Sequence, residues 1–131
     1  MYLDSDGKHI FAEDVLVGML SNIQTIKLPT YDFHKTIFQL QEQKRFSKYL
    51  KGFKFSLGGL GPYSELLETA IFNLEASSIL QAISPSFEAY YLPRDLKEKL
   101  KIRTEKIFPD PKDRKNLEEM ASEFEEIITK E

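Results

Sequence analysis

The segment from Phe53 to Leu92 constrains the fold more than any other part of the chain. Apolar and polar residues alternate from Phe53 to Leu57, which predicts a β-strand. A Gly-rich turn and an amphipathic helix follow. Two β-rich segments joined by a three-residue turn come next, Ile79 to Ile83 and Phe87 to Leu92. We therefore predict that the first strand pairs with this hairpin in a small antiparallel sheet against helices.

The helix in this segment follows three glycines, Gly58, Gly59 and Gly61. A phosphate-binding loop would need GxGxxG spacing or a GK[ST] ending, and neither is present, so the pattern predicts a sharp strand-to-helix turn. Ser64 is a good N-cap. Helical spacing predicts that one side of the helix faces the core: Leu66, Leu67, Ala70, Ile71 and Leu74. The other side carries Glu65, Glu68, Thr69, Phe72, Asn73, Glu75 and Ala76.

Helical patterns surround this segment. A first helix is expected from about Ile10 to Ile23. A break at Lys27 to Thr30 follows, then a helix with Thr30 as N-cap and a short helical turn. Two C-terminal helices are predicted, from Arg94 to Ile107 and from Pro111 onward with Asp110 as N-cap. The last helix has an apolar stripe of Leu117, Met120, Ala121, Phe124 and Ile128, which fits packing on the domain itself or a dimer contact.

This order of elements is typical of a winged-helix domain. At 131 residues the chain fits one domain. We predict an α+β, mainly helical fold with a small antiparallel sheet. A winged-helix-like core would cover about residues 10–92, and two C-terminal helices would form an extension over about 94–131.

The stretch Gly61-Pro62-Tyr63-Ser64, followed by helically spaced Leu67, Ile71 and Leu74 and then a hairpin, carries a resemblance. It resembles the helix entry of small, mostly uncharacterised winged-helix proteins of prokaryotes and their phages, a group with antitoxin-like members. The chain has Leu60 where an aromatic residue commonly precedes the Gly-Pro pair, and Ser78 where a glycine usually ends the helix. The resemblance implies the fold and a non-enzymatic role, and it assigns no site.

Composition excludes several classes of function. Without cysteine the chain has no disulfide, thiolate metal ligand or cysteine nucleophile, and a cytoplasmic location is expected. No apolar run approaches the roughly 18 residues that a membrane span needs, and the acidic N-terminus is not a secretory signal. The net charge of -3 gives no global reason to expect nucleic-acid binding.

Charge is nevertheless uneven along the chain. Residues 44–54 contain five bases and no acid: Lys44, Arg45, Lys48, Lys51 and Lys54. Residues 112–131 contain seven acids and four bases. The basic run is either a solvated helix face or a contact for nucleic acid or an acidic partner.

Catalytic and metal-binding motifs are missing. The two histidines, His9 and His34, have no partner at metal-ligand spacing, so we predict no metal and no cofactor. We expect His34 to be a hydrogen-bonded structural residue. Asp4 to Gly7 resembles the start of a calcium loop, but the later ligands are absent. Ser64 lacks the G-x-S-x-G elbow of a hydrolase. We predict that the protein is not an enzyme, unless folding assembles a site from distant residues.

Two non-catalytic functions remain: a protein-binding adaptor, antitoxin or oligomerisation module, and a DNA-binding transcriptional regulator. The helix after Pro62 would enter the major groove, yet its outer face has glutamates and no base, which disfavours phosphate contact. We favour binding of a protein partner or a second copy. The predicted contact residues are Phe72, Glu68, Glu75 and Phe124. Alternatively, the apolar stripe of the last helix could fold back and cover Phe72.

Overall fold

The computed structural model describes residues 2–3, 9–23, 27–29, 33–58, 61–77, 79, 81–82, 89–91 and 94–129. Within these ranges the protein is mainly helical, as predicted. The α-helices are α1 (Ala12–Leu20), α2 (Phe33–Gln41), α3 (Lys44–Leu50), α4 (Glu65–Ala76), α5 (Lys97–Ile107) and α6 (Pro111–Thr129). The strands are β1 (Tyr2–Leu3), β2 (His9–Ile10), β3 (Lys27–Pro29), β4 (Ser56–Gly58), β5 (Gly61–Tyr63), β6 (Gln81–Ala82) and β7 (Ala89–Tyr91).

The largest sheet is antiparallel and has the order β3-β7-β6. The β6–β7 pairing confirms the predicted hairpin, with Gln81 opposite Tyr91. The predicted third strand was wrong: β7 pairs with β3, placing Lys27 opposite Tyr91, and the segment from Phe53 to Leu57 takes no part in this sheet. Lys27–Pro29, predicted as a chain break, is thus an edge strand, where the missing N–H of proline is tolerated.

Gly58 and Gly61 are paired on two antiparallel strands, so the segment is not the strand-to-helix turn that was predicted. β4 pairs with β5, with Ser56 opposite Tyr63 and Gly58 opposite Gly61. Gly61 has a φ of 102°, a backbone conformation that side chains with a Cβ rarely adopt.

Helix α1 lies at the centre of the molecule. Its residues Val15 to Leu20 are all buried, and α1 contacts α3, α4, α5 and α6. A helix that is apolar all round must be enclosed by other elements. Helices α5 and α6 contribute to this same core through Leu100, Phe108 and the α6 stripe, which is buried throughout. The stripe therefore packs on the protein's own body.

Helix boundaries agree broadly with the prediction. Ser64 caps α4, and the Asp110 carboxylate accepts a hydrogen bond from the Lys112 N–H at 2.9 Å as α6 begins. Leu66, predicted to face the core, is 44% exposed. Thr30, Asp4 to Gly7 and the hairpin turn at 84–86 lie outside the described residues.

Gly18 leaves room for close packing between α1 and α6. A Cβ built on Gly18 would lie 2.9 Å from Leu117 Cδ1 and 3.4 Å from Thr104 Cγ2, both in buried residues. We predict that Gly18→Val lowers the free energy of unfolding by about 1–3 kcal/mol through overpacking, measured by urea denaturation.

Gly58→Val is the matched control, since a Cβ there meets no atom within 4 Å. We expect this change to stay within about 0.5 kcal/mol of the parent. Equal effects of the two substitutions would contradict the close α1–α6 contact.

Candidate protein-contact surface on helix α4

Local sequence and tertiary packing both fix the position of α4. The Ser64 hydroxyl accepts a hydrogen bond from the Leu67 N–H at 3.2 Å, and Ser64 is fully buried. The apolar side of α4 is buried at four positions: Leu67, Ala70, Ile71 and Leu74. Because α4 is capped and one face packs against α1, the opposite face is held toward solvent.

His34 in α2 connects that helix to the start of α4. Its Nδ1 accepts a hydrogen bond from the Ser64 N–H at 3.1 Å. The proton is thereby assigned to Nε2, which lies 2.8 Å from Glu68 Oε2 and donates to it. The imidazole also stacks on Tyr63, with ring centroids 4.8 Å apart. His34 is therefore a structural residue, as predicted.

The same contacts show what His34 does not do. It bonds the backbone of Ser64, and the Ser64 hydroxyl instead serves as the N-cap acceptor. No nucleophile–base pair is formed at this point. Across the described part of the chain, no group of three or more His, Asp or Glu side chains could hold a metal ion.

The outer face of α4 carries one large apolar side chain among polar ones. Phe72 is 67% exposed, and Glu68 is exposed beside it while Glu75 is half-buried. Glu65, Thr69 and Ala76 complete this exposed face. We call these residues the α4 face. Its exposure was predicted from helical spacing alone, and α4 contains no lysine or arginine.

Phe124 does not belong to this surface. It is fully buried, and its ring packs edge-to-face on Phe33 with centroids 5.1 Å apart. The prediction of Phe124 as a contact residue was wrong, because the apolar stripe of α6 is buried in the hydrophobic core. The alternative that this stripe covers Phe72 is also wrong, since Phe72 stays exposed while the stripe packs on α1 and α2.

The basic run divides into two sets. The Arg45 guanidinium contacts the carboxylates of Glu119, at 3.2 Å, and Glu123. Lys48 lies 3.6 Å from Asp113. The acidic partner of these two bases is thus the acidic helix α6 of the same chain. Partly exposed pairs of this kind contribute about 0.2–1 kcal/mol each.

The other three bases are exposed: Lys44, Lys51 and Lys54. Across the described ranges none of them forms an ion pair. Lys44 and Lys48 share the outer face of α3 by helical spacing, and Lys51 is the residue directly after the helix. Lys51 and Lys54 line one shallow groove together with Phe38 and Phe55. Sequence reasoning missed this groove, because its walls come from α2, α3 and the loop after them.

A second feature that the sequence did not predict is a set of exposed apolar side chains at the β4–β5 hairpin. Leu57 is 73% exposed, and Tyr63 and Leu66 are each 44% exposed. Tyr63 and Leu66 line a groove of about 380 Å³ with Lys54 and Glu65. The α4 face therefore begins beside an apolar surface.

The junction between α3 and α6 is closed by a buried polar network. The Tyr49 hydroxyl donates to the Asp113 carboxylate at 2.5 Å and accepts from the Asn116 amide at 3.0 Å. Burial, together with the hydrogen bond to Asp113, raises the pKa of the Tyr49 phenol above its usual value of about 10. This network fixes α3, and with it the groove, against α6.

Comparison with known proteins finds no matching family model, curated protein or solved structure. Among the helices described, none is long and apolar enough to cross a membrane. The chemistry of the surface itself therefore carries the functional argument.

Tyr49→Phe tests the buried network. We expect a loss of about 1–3 kcal/mol in the free energy of unfolding at pH 7, because Asp113 and Asn116 lose a buried partner. The raised pKa of folded Tyr49 stabilises the fold fully below about pH 10, and this contribution is lost as the pH rises further. The difference between parent and variant should therefore shrink above about pH 10, measured by urea denaturation across pH.

Tyr63→Phe is the control at pH 7, because the Tyr63 hydroxyl makes no hydrogen bond within the described ranges. It should change stability by less than about 0.5 kcal/mol. A difference between Tyr49→Phe and the parent that grows above pH 10 would contradict the assignment.

Proposed function

We propose that this protein is a non-catalytic winged-helix module that binds another protein through the α4 face. The observation that carries the proposal is the exposure of Phe72. Its side chain is 67% exposed, and all the charged side chains on the same helix are acidic. Fully desolvated aromatic residues with a polar surround dominate the energy of many protein interfaces.

The strand order supports the winged-helix assignment. Helix α1 precedes β3, the described residues between β3 and β6 include α2, α3 and α4, and β7 lies between β3 and β6 in the sheet. Here the β4–β5 hairpin is inserted before the helix that occupies the recognition position, α4.

Charge on α4 favours a protein partner over DNA. A recognition helix in the major groove lies close to phosphates, and contacts to them normally come from basic side chains. Glu65, Glu68 and Glu75 would instead repel the DNA backbone. A protein surface with an apolar pocket and a basic rim complements the α4 face in both shape and charge.

We predict that Phe72→Ala weakens binding to the protein partner at least tenfold, because truncation of a central aromatic anchor typically costs 2 kcal/mol or more. The measurement is titration of the partner by isothermal calorimetry. The free energy of unfolding should change by less than about 1 kcal/mol, since little of the ring is buried in the free protein.

Ile102→Ala is the matched control, because Ile102 is 52% exposed and lies on α5, away from the α4 face. It should leave binding unchanged. A loss of about 3 kcal/mol in stability on Phe72→Ala would mean that the ring is an internal packing residue instead. An effect on neither binding nor stability would end the proposal.

DNA binding remains the second candidate, favoured by Lys44, Lys51 and Lys54, which are exposed and form no ion pair with any residue that the structure describes. We predict weak binding of duplex DNA with a steep dependence on salt, since only phosphate contacts are available to these lysines. Fluorescence anisotropy at several salt concentrations measures this. Sequence-specific nanomolar binding at about 150 mM salt would reverse the preference for a protein partner.

A further inference from the structure

The groove beside α3 has the opposite character to the α4 face. Its walls are the rings of Phe38 and Phe55, which meet edge-to-face with centroids 5.2 Å apart. Lys51 and Lys54 are exposed at its rim, and none of the described residues that line it is acidic. Its volume of about 360 Å³ suffices for an aromatic side chain, since whole small molecules occupy pockets from about 300 Å³ upward.

This groove is held open by hydrogen bonds within the chain. The Gln41 side-chain amide donates to the Leu50 and Phe53 carbonyls, both at 2.7 Å. These bonds tie the end of α3 and the following loop to α2, and they fix the spacing between Lys51 and Lys54. A pre-formed groove costs less conformational entropy on binding than one that must be ordered.

The two surfaces are neighbours on one molecule. Lys54 and Phe55 line the aromatic groove on one side and, on the other, the groove that reaches Glu65 and Leu66 at the start of α4. In a two-fold symmetric dimer, each copy offers the same pair of patches to the other. Adjacent patches of opposite charge can then meet twice across one axis.

We propose that the partner of the α4 face is a second copy of this chain, with Phe72 of one copy seated in the aromatic groove of the other, against the paired rings of Phe38 and Phe55. Glu65 and Glu75 face Lys51 and Lys54 across the interface. The inference rests on the proposed function of the α4 face and adds the identity of its partner. Its basis is charge complementarity: an aromatic residue among acids meets aromatic walls rimmed by bases.

A charge exchange between the two surfaces tests the contact. One variant carries Glu65→Lys and Glu75→Lys, and the other carries Lys51→Glu and Lys54→Glu. Within the described ranges these four side chains form no hydrogen bond or ion pair, so their replacement breaks none. Glu68 is spared because it accepts the hydrogen bond of His34.

Sedimentation velocity over a range of concentrations gives the masses. The parent should reach twice the 15.2 kDa of the monomer. Each variant alone should remain monomeric, because like charges then face each other, and an equimolar mixture should recover the dimer. High salt should weaken the parent dimer, because its rim charges are screened within about 8 Å at physiological ionic strength.

The control variant carries Lys99→Glu and Lys101→Glu on α5, which changes the net charge as much as the groove variant does but away from it. It should dimerise like the parent. Circular dichroism and thermal unfolding confirm that each variant is folded.

Different failures have different meanings. A parent that stays monomeric at every concentration overturns the inference, and the proposed function is then judged with another protein by the Phe72→Ala titration. If the dimer is lost on Phe72→Ala but persists in the groove variant, the groove is not the docking site of Phe72. The α4 face would then still be part of the dimer contact. A dimer that survives Phe72→Ala overturns docking through Phe72 itself.

Discussion

The burial of α1 on every side is the constraint on which the rest of the structure depends. One neighbouring element cannot cover its whole apolar surface. Four helices, α3, α4, α5 and α6, therefore pack against it. Gly18 lets α6 approach closely enough to complete the enclosure. The C-terminal helices are therefore part of the core, and the apolar stripe of α6 is not left for a partner. The surfaces that remain for binding are the outer sides of the enclosing helices.

The enclosure also decides which charges are free. As α6 packs against α3, its carboxylates meet Arg45 and Lys48, and Asp113 reaches the buried hydroxyl of Tyr49. Part of the basic run is thereby neutralised within the chain. The bases that face away from α6 remain, and two of them stand at the rim of an aromatic groove. The acidic helix α6 and part of the basic run thus form ion pairs within one chain. The bases that remain form a smaller basic surface that is available to a partner.

Two rigid supports hold the proposed binding elements. His34 and the Ser64 cap fix the start of α4, the helix that carries Phe72. Gln41 fixes the groove. Each support includes a side chain of α2, because His34 accepts the Ser64 N–H and Gln41 donates to the Leu50 and Phe53 carbonyls. That helix therefore relates the α4 face to the groove. Pre-organisation of this kind favours a specific contact over a promiscuous one, because little is ordered on binding.

The sequence by itself determined the features that depend on local periodicity. The cap and outer face of α4, the exposure of Phe72, the β6–β7 hairpin and the start of α6 at Pro111 all follow from spacings within about one or two turns. Such spacings identify which face of an element is apolar. They do not identify what covers that face, because the partner is distant in the chain.

Tertiary structure therefore decided the partners. β7 pairs with Lys27–Pro29, a segment too short to show any alternation, and not with the alternating run from Phe53. Phe124 packs on Phe33 in the core, and Arg45 pairs with Glu119 and Glu123 of α6. Burial and charge pairing thus join residues that are 74 or more positions apart in the sequence. The aromatic groove likewise exists only after α2, α3 and the following loop have packed together.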